Sequence, residues 1–424
     1  MRGARTGDFL GLYGREVRGT AELRVAITYH YSLSFGGSER VLERLAKMYP
    51  DADFFALLVD KSFLPEALRG RKITTSFLDK FPFGKRMYRQ LLPLYPLAVE
   101  CLDLSGYDLV ISADGASTKG VLTDQHAVHL CYCHSPPRSY WDQYAANRRT
   151  MPWFPRAVFA LVSQHLRLWD FAAAQRIDGF IANSEYVAER VRKYYRREST
   201  VIYPPVDVSG ALVAEQHEDF YLSVGRLVAS KRVDLAIEAC NRLGRRLQIA
   251  GTGPAEPELR AFAGPTIEFL GRLSDGELKK KYANCRALLF AADEDCGLVS
   301  VEAQAHGRPV VAYGHGGSLE TVRGVWADQI FTDQANVRSA VRMGQYTGVY
   351  FSDQSVVALS RAIVGFEGIE EDFCPKAIHE YAERFDTEIF VVEMRRYVAE
   401  QLESRHRASR AILHKPVETQ ARRS

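Results

Sequence analysis

The stretch Glu294-Asp-Cys-Gly-Leu-Val-Ser-Val-Glu302 combines the residue types best suited to chemistry in this chain. An apolar run, Arg286 to Ala292, precedes it and Ala-Gln-Ala-His-Gly-Arg-Pro-Val-Val-Ala-Tyr follows, so the order reads strand, acidic loop, short helix, strand. In open α/β sheets a ligand crevice lies beyond the carboxyl ends of the strands. The first free amides of the following helix, near Gly297, Leu298 and Val299, form an anion site there. Two carboxylates beside such a site would repel a bare anion, so they need hydroxyls or a cation to bind. A nucleotide-sugar brings phosphates and hydroxyls together. The alternative is a solvated acidic turn followed by one Glu on a helix surface, and the stretch alone leaves both readings open.

Complementary groups lie elsewhere. Gly225-Arg-Leu-Val-Ala-Ser-Lys231 joins a strand to a helix. There Arg226 offers a planar fork and Lys231 a flexible point charge, two donor types suited to a diphosphate. Cations at a helix start are mildly unfavourable unless an anion is near. His134 follows a strand directly, ahead of the stiff Pro136-Pro137, and faces the same crevice as Gly36-Gly37 because both loops leave the carboxyl edge of one sheet. A lone His there is either a structural hydrogen-bonder or a site residue. A glycine pair at that point either lets the backbone approach a ligand or makes a tight turn.

At 424 residues, two domains of about 200 residues are expected. A net charge of +3 gives no argument for nucleic acid. Seven scattered cysteines suit reduced thiols in a cytoplasm, and Cys131-Tyr-Cys-His134 lacks a second ligand cluster at zinc spacing. The first 22 residues have no signal-peptide core, and no run approaches the about 18 apolar residues of a membrane span. Between Lys61 and Glu100 stand eight basic and three acidic side chains. Lys80, Lys85, Arg86 and Arg89 there, among Leu, Tyr and Met, would suit an anionic membrane surface or a lipid-linked acceptor. The same segment also reads as a core-packed helix interrupted at Pro93 and Pro96, with a solvated basic end.

Two strand-helix alternations must position these residues. The first has strands near residues 23–29, 54–59, 107–112, 126–133 and 179–183, and Ser38 as a natural cap of its first helix. The second has strands near 220–226, 246–251, 267–271, 287–292 and 309–313. The boundaries are a tail over 1–22, one doubly wound domain over 23–207, a second over 208–385, a helix over 386–404 returning to the first domain, and a disordered basic tail over 405–424. Residues 207–219 read as a linker, and the polar segment 326–344 as an inserted loop.

Gly36-Gly37, His134-Ser-Pro, Ala182-Asn-Ser184, Tyr203-Pro-Pro-Val-Asp207, Gly225-Arg-Leu with Lys231, Gly251-Thr-Gly-Pro254 and Glu294 with Glu302 together resemble glycosyltransferase family 4 over residues 23–404. The resemblance implies a GT-B fold, retention of configuration and no essential metal or other cofactor. It implies that Arg226 and Lys231 hold the donor diphosphate, that Glu302 binds the ribose and Glu294 the transferred sugar, and that His134 contacts that sugar from the other domain. Gly36 and Gly37 would face the phosphates, Arg272 and Leu273 the base, and Gly316, Gly317 and Ser318 the acceptor. Cys296 stands where many members have an aromatic residue, which bears on the shape of the sugar pocket.

The overall texture is similar to bacterial mannosyltransferases of surface-polysaccharide assembly. That implies GDP-mannose, a polysaccharide or lipid-linked glycan acceptor, and a site in the cytoplasm or at the inner face of the plasma membrane. The competing classes are a nucleotide-sugar epimerase, which would need its own acid and base, and a non-catalytic nucleotide-sugar or glycan-binding protein.

Overall fold

The computed structural model describes residues 23–32, 37–82, 84–88, 90–113 and 116–413. Gly36, Arg89, the tail 1–22 and residues 414–424 lie outside these. The first half holds β1 (Val25–Ser32), α1 (Gly37–Met48), β2 (Asp53–Val59), β3 (Ile73–Thr75), α2 (Tyr95–Glu100), β4 (Leu109–Ala113) and β5 (Val128–Cys133). It continues with α3 (Tyr144–Arg149), α4 (Trp153–Gln175), β6 (Gly179–Ala182), α5 (Glu185–Tyr195) and β7 (Thr200–Val201). These strands form one parallel sheet in the order β3-β2-β1-β4-β5-β6-β7.

The second half runs β8 (Tyr221–Val224), α6 (Val233–Leu243), β9 (Leu247–Ala250), α7 (Glu256–Ala261), β10 (Ile267–Gly271), α8 (Asp275–Asn284) and β11 (Leu288–Phe290). It goes on through α9 (Leu298–Ala305), β12 (Val310–Tyr313), α10 (Ser318–Thr321), β13 (Gly324–Trp326), α11 (Ala327–Thr332), α12 (Gln334–Arg342) and β14 (Gly348–Phe351). The chain then forms α13 (Val356–Glu367), α14 (Pro375–Ala382) and α15 (Thr387–Leu413). Its parallel sheet is ordered β10-β9-β8-β11-β12-β14-β13.

Both sheets are buried on their two faces. Every residue of β4, β5 and β11 is buried, which is why these strands read as continuous apolar runs rather than alternating ones. In each sheet the strand order reverses beside the first strand, at β1/β4 and at β8/β11, and ligand crevices open at such points. The chain crosses between the halves twice, and the crossings are tied by hydrogen bonds from Val206 N to Phe385 O (3.1 Å) and from Thr387 N to Val206 O (3.0 Å). Helix α15 then buries Phe390, Val391, Met394, Tyr397 and Val398 against strands of the first sheet.

Several local expectations change. Segment 326–344 is no inserted loop but the end of β13 followed by α11 and α12, with Ile330, Val337 and Val341 in the core of the second half. Its polar residues are the outer faces of two amphipathic helices. The segment 85–99 forms turns and a short 3-10 turn at Leu92–Leu94, and becomes α-helical only from Tyr95. Ser38 lies within the first turn of α1, which begins at Gly37. Helix α15 continues to Leu413, nine residues beyond 404. Residues 207–219 are docked on the second half, with Arg308 Nη2 donating to Ala214 O at 2.8 Å.

Candidate active site in the interdomain cleft

The switch point of the second sheet explains why distant residues meet. Because β8 and β11 are neighbours, the loop after β8, carrying Arg226 and Lys231, and the loop after β11, carrying Glu294, leave the sheet side by side. Lys231 Nζ forms an ion pair with Glu294 Oε1. Burial lowers the Lys231 ammonium to about 8, with the Asp295 carboxylate partly opposing it. Arg226, in the loop after β8, is exposed.

Backbone packing holds this corner. Gly251, at the end of β9, has φ 139° and accepts no side chain, since a Cβ there would run into the carbonyl oxygen of Gly225. Gly251 N in turn donates to Gly271 O at 2.8 Å, which brings the end of β10, and the exposed Arg272 beside it, to the same edge. Leu273 is half-buried there.

Glu302 sits in the second turn of α9 and is 8% exposed. Its Oε2 accepts the Tyr282 hydroxyl at 2.6 Å, and its Oε1 pairs with Arg40, which belongs to α1 of the other domain. The Glu302 carboxylate in turn raises the Arg40 guanidinium, outweighing burial. Next to this pair two helix starts from the two domains meet: a Cβ added to Gly37 would lie 2.8 Å from Leu298 Cδ1. The N-termini of α1 and α9 therefore open on one space, and each presents a positive dipole end. An interdomain groove of about 480 Å³ lies alongside, lined among others by Arg40, Arg44, Asp275, Lys279, Tyr282 and Glu302.

His134 leaves the end of β5, half-buried and edge-on to Tyr132 with ring centroids 5.3 Å apart. Its neighbour Ser135 accepts from Arg190 Nη1 at 3.1 Å, and Arg190 pairs with Asp295 in the acidic loop. Arg138 from the same segment reaches Asp293 Oδ2 at 3.3 Å, and Ser184 Oγ donates to Asp295 O at 2.6 Å. So the loop carrying His134 is clasped against Asp293–Asp295, across the cleft from its own sheet. Glu320 closes the same seam by accepting the amides of Glu185 (2.7 Å) and Tyr186 (2.8 Å) at the start of α5 and the Tyr203 hydroxyl (3.0 Å).

In the turn Gly316-Gly317-Ser318, Gly317 N donates to Glu294 O at 2.9 Å and Ser318 is fully buried, so this turn supports the acidic loop. Cys296 is 5% exposed, and burial raises its thiol, so the side chain is a neutral filler. Lys80, Lys85 and Arg86 are exposed, Lys85 lying 3.8 Å from Asp79, and among the described residues they take no part in the cleft contacts. Gly36 and Arg89 lie outside the described residues. Among the described residues no three His, Cys, Asp or Glu side chains are grouped to hold a metal ion.

Arg40, Tyr282, Arg190 and Glu320 were not singled out from sequence. Arg40 directly follows the Gly36-Gly37-Ser-Glu turn, which was the available signal, but its partner lies 262 residues away and only the domain packing joins them.

Comparison with known proteins agrees with this architecture. Residues 35–209 match the model of Glycosyltransferase Family 4, and residues 218–364 match that of Glycosyl transferases group 1. An alpha-1,3/1,6-mannosyltransferase, ALG2 of Saccharomyces cerevisiae, is 24% identical over 410 residues, covering 80% of this chain and 78% of the relative. An uncharacterized glycosyltransferase of Methanocaldococcus jannaschii is 30% identical over 155 residues, covering 35% of this chain and 44% of the relative's length. Among solved structures, HepE of Anabaena in complex with UDP-glucose superposes with a TM-score of 0.61 at 18% identity, covering 90% of this chain and 99% of that one. TarM superposes with a TM-score of 0.58 at 12% identity, covering 90% and 99%. With both halves matched in order and two seven-stranded parallel sheets facing one cleft, the chain belongs to glycosyltransferase family 4 and is a glycosyltransferase of the GT-B fold.

Proposed function

We propose that this enzyme transfers mannose from GDP-mannose, with retention of configuration, to a hydroxyl of a growing polysaccharide or lipid-linked glycan. The observation that carries the reading is the convergence in one cleft of Lys231 with Glu294, of Glu302 with Arg40, and of the α1 and α9 N-termini. The alignment with mannosyltransferases over most of the chain supports the sugar.

In this reading Arg226, Lys231 and the amides of Gly297, Leu298 and Val299 bind the donor diphosphate. They neutralise the charge that builds up as the bond to the anomeric carbon breaks, usually the largest catalytic contribution. Gly36 and Gly37 lie across the cleft from the phosphates. Glu302 binds the ribose hydroxyls, Glu294 the hydroxyls of the transferred sugar, and Arg272 with Leu273 the base. The acceptor attacks from the face the diphosphate leaves, and the leaving phosphate takes its proton. His134 orients and polarises the sugar from the other domain. Closure of the domains excludes water from the oxocarbenium-like state and holds the acceptor in place. The exposed basic residues Lys80, Lys85 and Arg86 place the acceptor domain against an anionic membrane face.

A panel of nucleotide-sugars read by melting temperature tests the donor. GDP-mannose should raise it most, and Lys231→Ala should abolish the response. A larger response to UDP-glucose would move the donor to the uridine series. Product analysis separates the other classes: conversion of the donor without an acceptor would indicate an epimerase, and binding with no turnover a non-catalytic binder.

A further inference from the structure

Helix α4 is apolar on more than its buried face. That face holds Leu166, Ala173 and Ala174 together with Ser163 and Asp170, the latter paired with Lys119 and accepting from Trp141 Nε1 at 2.7 Å. Its outer face carries Phe154, Val158, Leu161 and Leu168, exposed by 61%, 46%, 71% and 67%. Spacings of four, three and seven residues put these four in one stripe along the helix. Trp153, at its start, is 79% exposed.

The stripe does not end with the helix. Trp169, next to Leu168, packs on the same buried cluster as Tyr88, Leu91 and Leu92 and donates to Glu100 Oε1, at the end of α2, at 3.0 Å. In the segment that carries those residues Phe81, Met87, Leu94 and Leu97 are exposed by 50%, 45%, 38% and 58%. Exposed cations border both parts: Arg148, Arg149 and Arg156 at one end, Lys80, Lys85 and Arg86 at the other. From Gln143 to Gln175 the only carboxylate is Asp170, which is buried.

We propose that this continuous face of α4 and the segment 81–97 seats the acceptor domain on an anionic lipid bilayer. The inference deepens the membrane-side reading given above and moves its main contact from the basic residues alone to an apolar helix face. Apolar side chains enter the interfacial zone while the flanking arginines and lysines meet lipid phosphates, the arrangement of an interfacial helix. No helix among the described residues is long and apolar enough to cross a membrane, so α4 lies on the surface. A second copy of the chain is a poorer occupant. Apposing two such faces would set arginine against arginine with no exposed carboxylate on the helix to offset them.

The test floats the full-length protein with phosphatidylcholine vesicles, with and without phosphatidylglycerol, in the absence of any sugar nucleotide. Wild type should float with the anionic vesicles, and Trp153 emission should shift to the blue, a shift that Trp153→Phe removes. The double variant Leu161→Ser/Leu168→Ser should bind at least tenfold more weakly with an unchanged melting temperature, since both side chains face outward. The double variant Arg148→Gln/Arg149→Gln should lose the preference for anionic vesicles. Flotation of the leucine double variant equal to wild type, or no flotation of wild type, overturns the proposal. So does a wild-type dimer in light scattering that the leucine double variant converts to monomer. None of these results touches the donor assignment, which the nucleotide panel decides separately.

Discussion

Replacing Glu302 by glutamine tests the centre of the proposed donor site. The carboxylate is 8% exposed, and its two oxygens each carry one protein partner, Tyr282 on Oε2 and Arg40 on Oε1. A carboxylate has about four lone-pair sites, so about two remain, the number that the two hydroxyls of a ribose would fill. A hydrogen bond to a charged group contributes about 1.5–3 kcal/mol, roughly 10- to 150-fold in Kd. Wild type should therefore bind a 2′-deoxy or a 3′-deoxy nucleoside diphosphate at least about tenfold more weakly than the ribo form. Glu302→Gln keeps the shape but loses the charge and most of the spare acceptor capacity. In that variant the deoxy penalty should shrink to about threefold or less. Isothermal titration of GDP and its deoxy analogues against both proteins measures the difference, and a melting curve confirms the fold of the variant. An equal deoxy penalty in the two proteins would refute the argument, because Glu302 would then not be what reads the ribose.

Other expectations follow from neighbouring contacts. Lys231 is lowered by burial to about 8, against an ordinary value of about 10.4. Between these values the unfolded chain holds the proton that the folded chain has lost, so its contribution to stability rises with pH over that window. Donor affinity should move the opposite way, falling by up to about tenfold per unit above pH 8, because the diphosphate selects the charged amine. Lys231→Arg should flatten that fall in nucleotide titrations, and a flat wild-type curve would contradict it. Gly251→Ala should cost about 3 kcal/mol or more in urea unfolding, since a side chain at φ 139° meets the Gly225 carbonyl; an unchanged midpoint would show that the loops can part. Glu320→Ala uncaps two amides of α5 across the domain seam and should lower stability by about 1–2 kcal/mol. Small-angle scattering of the same variant should report a more open molecule, and an identical scattering profile would argue against a role in closure.

Much of the architecture could be read from the linear chain because its causes are local. Runs such as Leu109–Ala113 and Val128–Cys133 are apolar throughout since both faces of a parallel sheet are covered, and that pattern survives without coordinates. The acidic stretch, the glycine loops, Lys231 and His134 were legible for the same reason: each sits where a strand gives way to a helix, and strand ends are visible as changes of periodicity. Segment 326–344 reads as a loop in the linear chain because the polar faces of two short amphipathic helices look like one when the core they pack on is unknown.

Sequence alone thus determined the two doubly wound units, their order and the residue types at their carboxyl edges. Tertiary structure decided which of those residues meet. The reversal of strand order at β8/β11 puts Lys231 beside Glu294, and the packing of α1 against α9 brings Arg40 to Glu302. It also decided that one apolar stripe of α4 faces outward, since the helical period marks a stripe but not which side of the helix the rest of the chain will cover. Pairings between distant segments depend on domain geometry, which no local pattern encodes, and in this enzyme the proposed site is built almost entirely from such pairings.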